Sequence, residues 1–89
     1  MELKCLDKYS LANIIANTVN FKIKKEIFKN DISFSKVLNI INEYKEIGFN
    51  DIIKSVNFVI CSLNMFEKEK EKEIVKEILD NIYFNFKFI

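Results

Sequence analysis

Glu69, Glu73, Glu77 and Asp80 recur at steps of four, four and three, a spacing that aligns four carboxylates along one side of a helix. Phe84 continues the same line one step further. Like charges so arranged repel by a few tenths of a kcal/mol per pair. Such a face is either a solvated surface or a recognition surface for a basic partner, with Phe84 as its apolar anchor.

Other chemistry falls away by subtraction. The chain has no histidine, and so no general base near neutrality and no imidazole metal ligand. Glu43 and Glu46 stand one turn apart, where paired carboxylates are ordinarily solvated. Cys5 and Cys61 lack the spacing of a zinc site. Cys61 sits in the most apolar stretch, where it is expected to serve as a small buried hydrophobe in its reduced form. One glycine, Gly48, cannot make a phosphate-binding loop. No catalytic, cofactor or metal site is expected, and the chain reads as non-enzymatic.

Basic residues concentrate only in KIKKEIFK, Lys22 to Lys29. At the end of a helix these lysines would complement the dipole from solvent. All fourteen basic residues are lysine and the net charge is +1, so phosphate attraction is weak and arginine's bidentate contacts are absent. A nucleic-acid adaptor is therefore only a third reading.

The elements that must carry these residues follow from apolar periodicity. Asp7 or Ser10 can cap a helix running to about Lys29, with Ala12, Ile15, Val19, Ile23 and Ile27 as its main stripe. A second line on that helix, Ile14, Phe21 and Phe28, recurs every seven residues and is a candidate dimer face. Ser33 or Ser35 can cap the next helix, whose seam is Val37, Ile40, Tyr44 and Ile47. Gly48 and Phe49 suit the end of that helix as a Schellman motif. Asn50 to Phe66 is expected to form the central helix, with Ile52, Val56, Val59, Leu63 and Phe66 on one stripe, Ile53 and Ile60 widening it, and Asn57 and Asn64 enclosed.

After it comes EKEKEKE, Glu67 to Glu73, read as a solvated turn near Phe66–Lys70 rather than the middle of one long helix. The last helix would bury Val75, Leu79, Ile82 and Phe86, flanked by Ile78 and Tyr83. Its tail, YFNFKFI, also alternates like a strand that could pair with Met1–Leu6. The expectation is one all-α domain over residues 1–89. It is a small antiparallel bundle of four helices, about 8–29, 34–47, 51–66 and 70–85, with an extended C-terminal tail as a variant.

Polar residues interrupt every apolar run before a bilayer could be spanned, and charges precede the first run, so no membrane span or signal peptide is expected and a cytoplasmic setting is. By size and architecture the chain suits a small protein-binding or inhibitor protein of the immunity-protein or antitoxin kind. Such a protein neutralises a partner, for example a basic toxin or nuclease, by surface complementarity. A phage anti-defence protein would work alike. The alternative is a helical self-association module, a dimer or small oligomer formed through Ile14, Phe21 and Phe28 or through the aromatic C-terminal tail.

Overall fold

The computed structural model describes residues 4–23, 31–43 and 52–87. Four helices dominate, α1 (Lys8–Ile23), α2 (Phe34–Glu43), α3 (Ile52–Leu63) and α4 (Lys68–Asn85). Two-residue strands, β1 (Lys4–Cys5) and β2 (Phe86–Lys87), flank them. The all-α bundle read from the periodicity is the observed architecture.

Local chemistry starts the first two helices. The Ser10 backbone N–H donates to Asp7 Oδ1 at 2.7 Å, and the Lys36 N–H donates to Ser33 Oγ at 3.1 Å. Both are N-cap bonds, satisfying donors that the helix itself leaves open. The bond from Ser10 also holds the Asp7 carboxyl below its ordinary 3.8.

Packing closes the helices into a ring: α1 against α2 and α4, and α3 against α2 and α4. The directions follow from side-chain pairs. Lys8 reaches Asn42, while Asn20 reaches Ile32, so α1 and α2 are antiparallel. A tight turn joins α3 to an antiparallel α4, with the Cys61 thiol 3.9 Å from Glu71 Oε1. At the other end β1 pairs with β2, which brings the start of α1 to the end of α4. The pair is parallel, in register Lys4 to Phe86 and Cys5 to Lys87. The alternation in YFNFKFI thus does become extended chain, but only beyond Asn85.

The core is shared around this ring rather than centred on α3. Leu11, Ala12, Ile15, Ala16, Val19 and Ile23 of α1 are buried, as are Val37 and Ile41 of α2. From α3 come Ile52, Val56, Val59, Ile60 and Leu63. Ile53 does not widen that stripe; it is 50% exposed. Asn57 and Asn64 are exposed too, and the enclosed polar side chain of α3 is Ser55. Asn57 satisfies its amide within its own helix by donating to the Ile53 carbonyl at 2.9 Å. Cys61 is exposed rather than buried. The common reason is that α3 has two helical neighbours, so one arc of it remains in solvent however apolar its sequence.

Asn64 ends α3. Its φ is 49°, in the left-handed region that Asn tolerates better than most residues. The turn therefore falls at Asn64–Glu67, earlier than the charge pattern implies, and most of EKEKEKE forms the first turns of α4. Glu69 and Glu71 there lie in the first turn, where the helix dipole favours anions.

On α4 the buried set is Ile74, Val75, Ile78 and Ile82. Leu79 is only half-buried against the core, and Tyr83 is exposed. The buried arc is centred on Ile78 because α4 packs against α1 on one side and α3 on the other. The Gly48–Phe49 helix end, Ile27, Phe28, Tyr44, Ile47 and the first two residues of the expected third helix, Asn50 and Asp51, lie outside the described residues.

Candidate functional site

The two surfaces singled out in the sequence meet on one face. α1 and α4 run antiparallel, and the groove between them is lined by Asn17, Thr18 and Phe21 from α1 and by Glu77 and Asn81 from α4. Phe21 belongs to the apolar line of α1 and Glu77 to the carboxylate line of α4, so what reads as two candidate faces is one.

Not all of the carboxylate line is available. Lys22 Nζ lies 2.6 Å from Glu77 Oε1, and the Lys22 side chain is only 8% exposed against 44% for Glu77. The hydrogen bond to Glu77 raises the Lys22 ammonium above its ordinary 10.5, against the opposing pull of desolvation, with the charges of Glu77 and Glu73 adding to the rise. Lys22 is thus not a solvated end charge, as the KIKKEIFK run suggests. Its aliphatic stem fills the α1–α4 seam while its ammonium reaches the rim. The remaining lysines of that run, Lys24, Lys25 and Lys29, lie outside the described residues.

Farther along α4, Lys70 Nζ stands 3.6 Å from Glu73 Oε2, an exposed pair of small energetic weight. Glu69 and Asp80 are exposed and have no ion pair among the described residues. Phe84 follows Asp80 by one turn and is 83% exposed, the most exposed large hydrophobe described.

On the α1 side Phe21 is 60% exposed, whereas Ile14 is partly buried and packs against the core. The proposed dimer line therefore shows solvent one aromatic rather than a continuous stripe, and its third member, Phe28, lies outside the described residues. A second groove, between α1 and the start of α2, is lined by Tyr9, Ser10, Asn13 and Phe34. The Lys8 ammonium sits 5.4 Å from the centre of the Tyr9 ring there.

A further site was invisible to periodicity. Asn20 bonds the Ile32 backbone twice: Asn20 Nδ2 donates to the Ile32 carbonyl at 2.9 Å, and the Ile32 N–H donates to Asn20 Oδ1 at 2.8 Å. The side-chain amide thereby pairs with a non-helical backbone as a neighbouring strand would. In the sequence Asn20 is one of several asparagines on a polar flank, and nothing in its type or spacing separates it from Asn13 or Asn17.

Among the described residues no group of His, Cys, Asp or Glu is placed to hold a metal ion, and no helix is long and apolar enough to cross a membrane. Fold and site together define a four-helix bundle with an open groove edged by carboxylates and aromatic rings. Comparison with known proteins adds no relative: no family model, no curated protein and no solved structure matches the chain.

Proposed function

We propose that this chain is a non-enzymatic binding protein that neutralises a basic protein partner through the outer face of α4 and the adjoining edge of α1. The observation that carries the reading is Phe84, an aromatic side chain 83% exposed one turn from Asp80, which has no ion pair among the described residues. Exposing so large an apolar group forgoes roughly 1.5–3 kcal/mol of burial. Centrally buried aromatics ringed by polar groups are what interfaces use as anchors. The charges that would meet the partner are Glu69, Glu73 and Asp80; Glu77 serves the fold through Lys22. An inhibitor of the immunity or antitoxin kind needs only such a surface.

The test is affinity capture with the full chain and with a Glu69→Lys, Asp80→Lys, Phe84→Ser variant whose helicity is first checked. A defined basic protein held by the wild type and lost by the variant supports the reading. Identical captured sets from the two would remove it.

Self-association is the second reading, and the exposure of Phe21 at 60% favours it. Light scattering decides: a concentration-dependent dimer abolished by Phe21→Ser supports it, and a monomer at high concentration removes it.

A further inference from the structure

Within this small protein, one asparagine of α1 already binds a non-helical backbone through both its N–H and its carbonyl. Asn20 grips both polar groups of Ile32, at 2.9 and 2.8 Å, as the chain approaches α2. Asn17, one turn earlier on the same helix, lines the α1–α4 groove and has no hydrogen-bond partner among the described residues. Its amide holds the same donor and acceptor as that of Asn20.

Across the groove, Asn81 Oδ1 accepts a bond from Asn85 Nδ2 at 2.6 Å, which turns the acceptor of Asn81 along its own helix. Its amide nitrogen remains a donor with no acceptor among the described residues. The groove thus offers a two-point clamp on one wall and a donor on the other. The aromatic rings stand beside it, Phe21 in the lining and Phe84 one turn beyond Asn81 on α4.

Charge decides what kind of chain would enter. Lys22 is held by Glu77, a residue of the lining, at 2.6 Å and screens that carboxylate from outside. Asp80, next to Asn81, is exposed without a counter-ion among the described residues, and Glu73 lies one turn before Glu77. Because Lys70 Nζ stands 3.6 Å from Glu73 Oε2, an entering cationic segment gains chiefly from Asp80, whereas an acidic one is repelled there.

We infer that the α1–α4 groove is the docking site for an extended, lysine- or arginine-bearing segment of the partner, clamped through its backbone by Asn17. This rests on the binding-protein reading above and adds the conformation of what is bound. The segment lies along the groove as an extended strand. Asn17 pairs with the N–H and C=O of one of its residues, Asn81 donates to a carbonyl farther on, an apolar side chain covers Phe21, and a cationic side chain reaches Asp80.

The test uses the full chain, isotope-labelled, and a short probe peptide of alternating threonine and valine with a central leucine and a lysine at each end. Two controls accompany it: the same peptide with glutamate ends, and an alanine-rich helical peptide carrying the same lysines. The expected result is that the lysine-ended extended peptide shifts the Asn17 and Asn81 side-chain amide resonances. Asn17→Ala should weaken its binding roughly tenfold, as losing two hydrogen bonds would. Asp80→Asn should weaken it about threefold, less so in high salt. Both variants change exposed residues, and unaltered helicity shows that they fold.

Binding that leaves Asn17 unmoved, or that Asn17→Ala does not weaken, overturns the inference. Should the helical peptide alone bind, moving Asp80 and Phe84 but not Asn17, this inference falls while the binding-protein reading stands. No binding by any cationic probe removes both. A shift of Asn17 on concentrating the protein without peptide means that a second copy occupies the groove, and it overturns the inference as well.

Discussion

Asn20 and Lys22 lie two residues apart on α1 and face different neighbours. Each fastens the helix to something distant in sequence. Asn20→Ala leaves both polar groups of Ile32 without their partner in a part-buried place, so we expect a loss of about 1–3 kcal/mol in urea unfolding. Asn20→Asp should be little better, because an ionised carboxylate cannot donate to the Ile32 carbonyl. A value within error of wild type would show the clamp to be incidental. For Lys22 the prediction is one of pH. Its ammonium is raised above 10.5 by Glu77 in the folded chain. The pair therefore contributes its full stabilisation below the unfolded value, and the contribution is lost as pH rises through the folded one. Glu77→Gln should melt at a lower temperature than wild type at pH 7, and the gap should close at strongly alkaline pH; a gap independent of pH would refute the ionic account. Neither role was legible in the sequence. Periodicity assigns a residue to a face, and it says nothing of which backbone or carboxylate that face will meet.

Among the elements, the boundaries marked by caps were legible and the register of α4 was not. Asp7 and Ser33 act as N-caps because their oxygens can reach the N–H three residues on. On α4 both Leu79 and Ile78 recur at helical spacing with Ile82, and only the placement of α1 and α3 decides between them. Ile78→Ala, at a site with no exposure, should cost about 2–5 kcal/mol, and Leu79→Ala clearly less. Chemical denaturation orders them; the reverse order would mean that α4 is rotated. The end of α3 makes a second claim. Asn64, at φ 49°, should accept glycine with little change, whereas Asn64→Val should cost about 1–2 kcal/mol for forcing a β-branched residue into the left-handed region. The seven alternating charges that follow gave no sign of this stop, because alternation of sign at every residue is compatible with helix and turn alike.

For the molecule as a whole, the class of fold was legible because four apolar stripes of helical period need one another's cover. The hub was not. Asn50–Phe66 looks central by composition, yet in a ring of four helices each element has two neighbours and keeps an outer arc, which is why Ile53, Asn57 and Cys61 face solvent. That distinction yields a contrast between two positions on α3. Val59 is fully buried and Asn57 exposed. A chain of this size is held by a net of roughly 0.05–0.15 kcal/mol per residue. Val59→Asp removes an apolar side chain and encloses a carboxylate with no counter-ion, a combination that consumes most or all of that margin. Asn57→Asp adds the same charge where water solvates it and costs only the bond to the Ile53 carbonyl. Circular dichroism at neutral pH should therefore show Val59→Asp unfolded and Asn57→Asp helical with a cooperative melt. If both fold, α3 is not packed on this stripe; if both unfold, the outer arc of α3 is covered by something other than solvent, and the open ring of four helices is wrong.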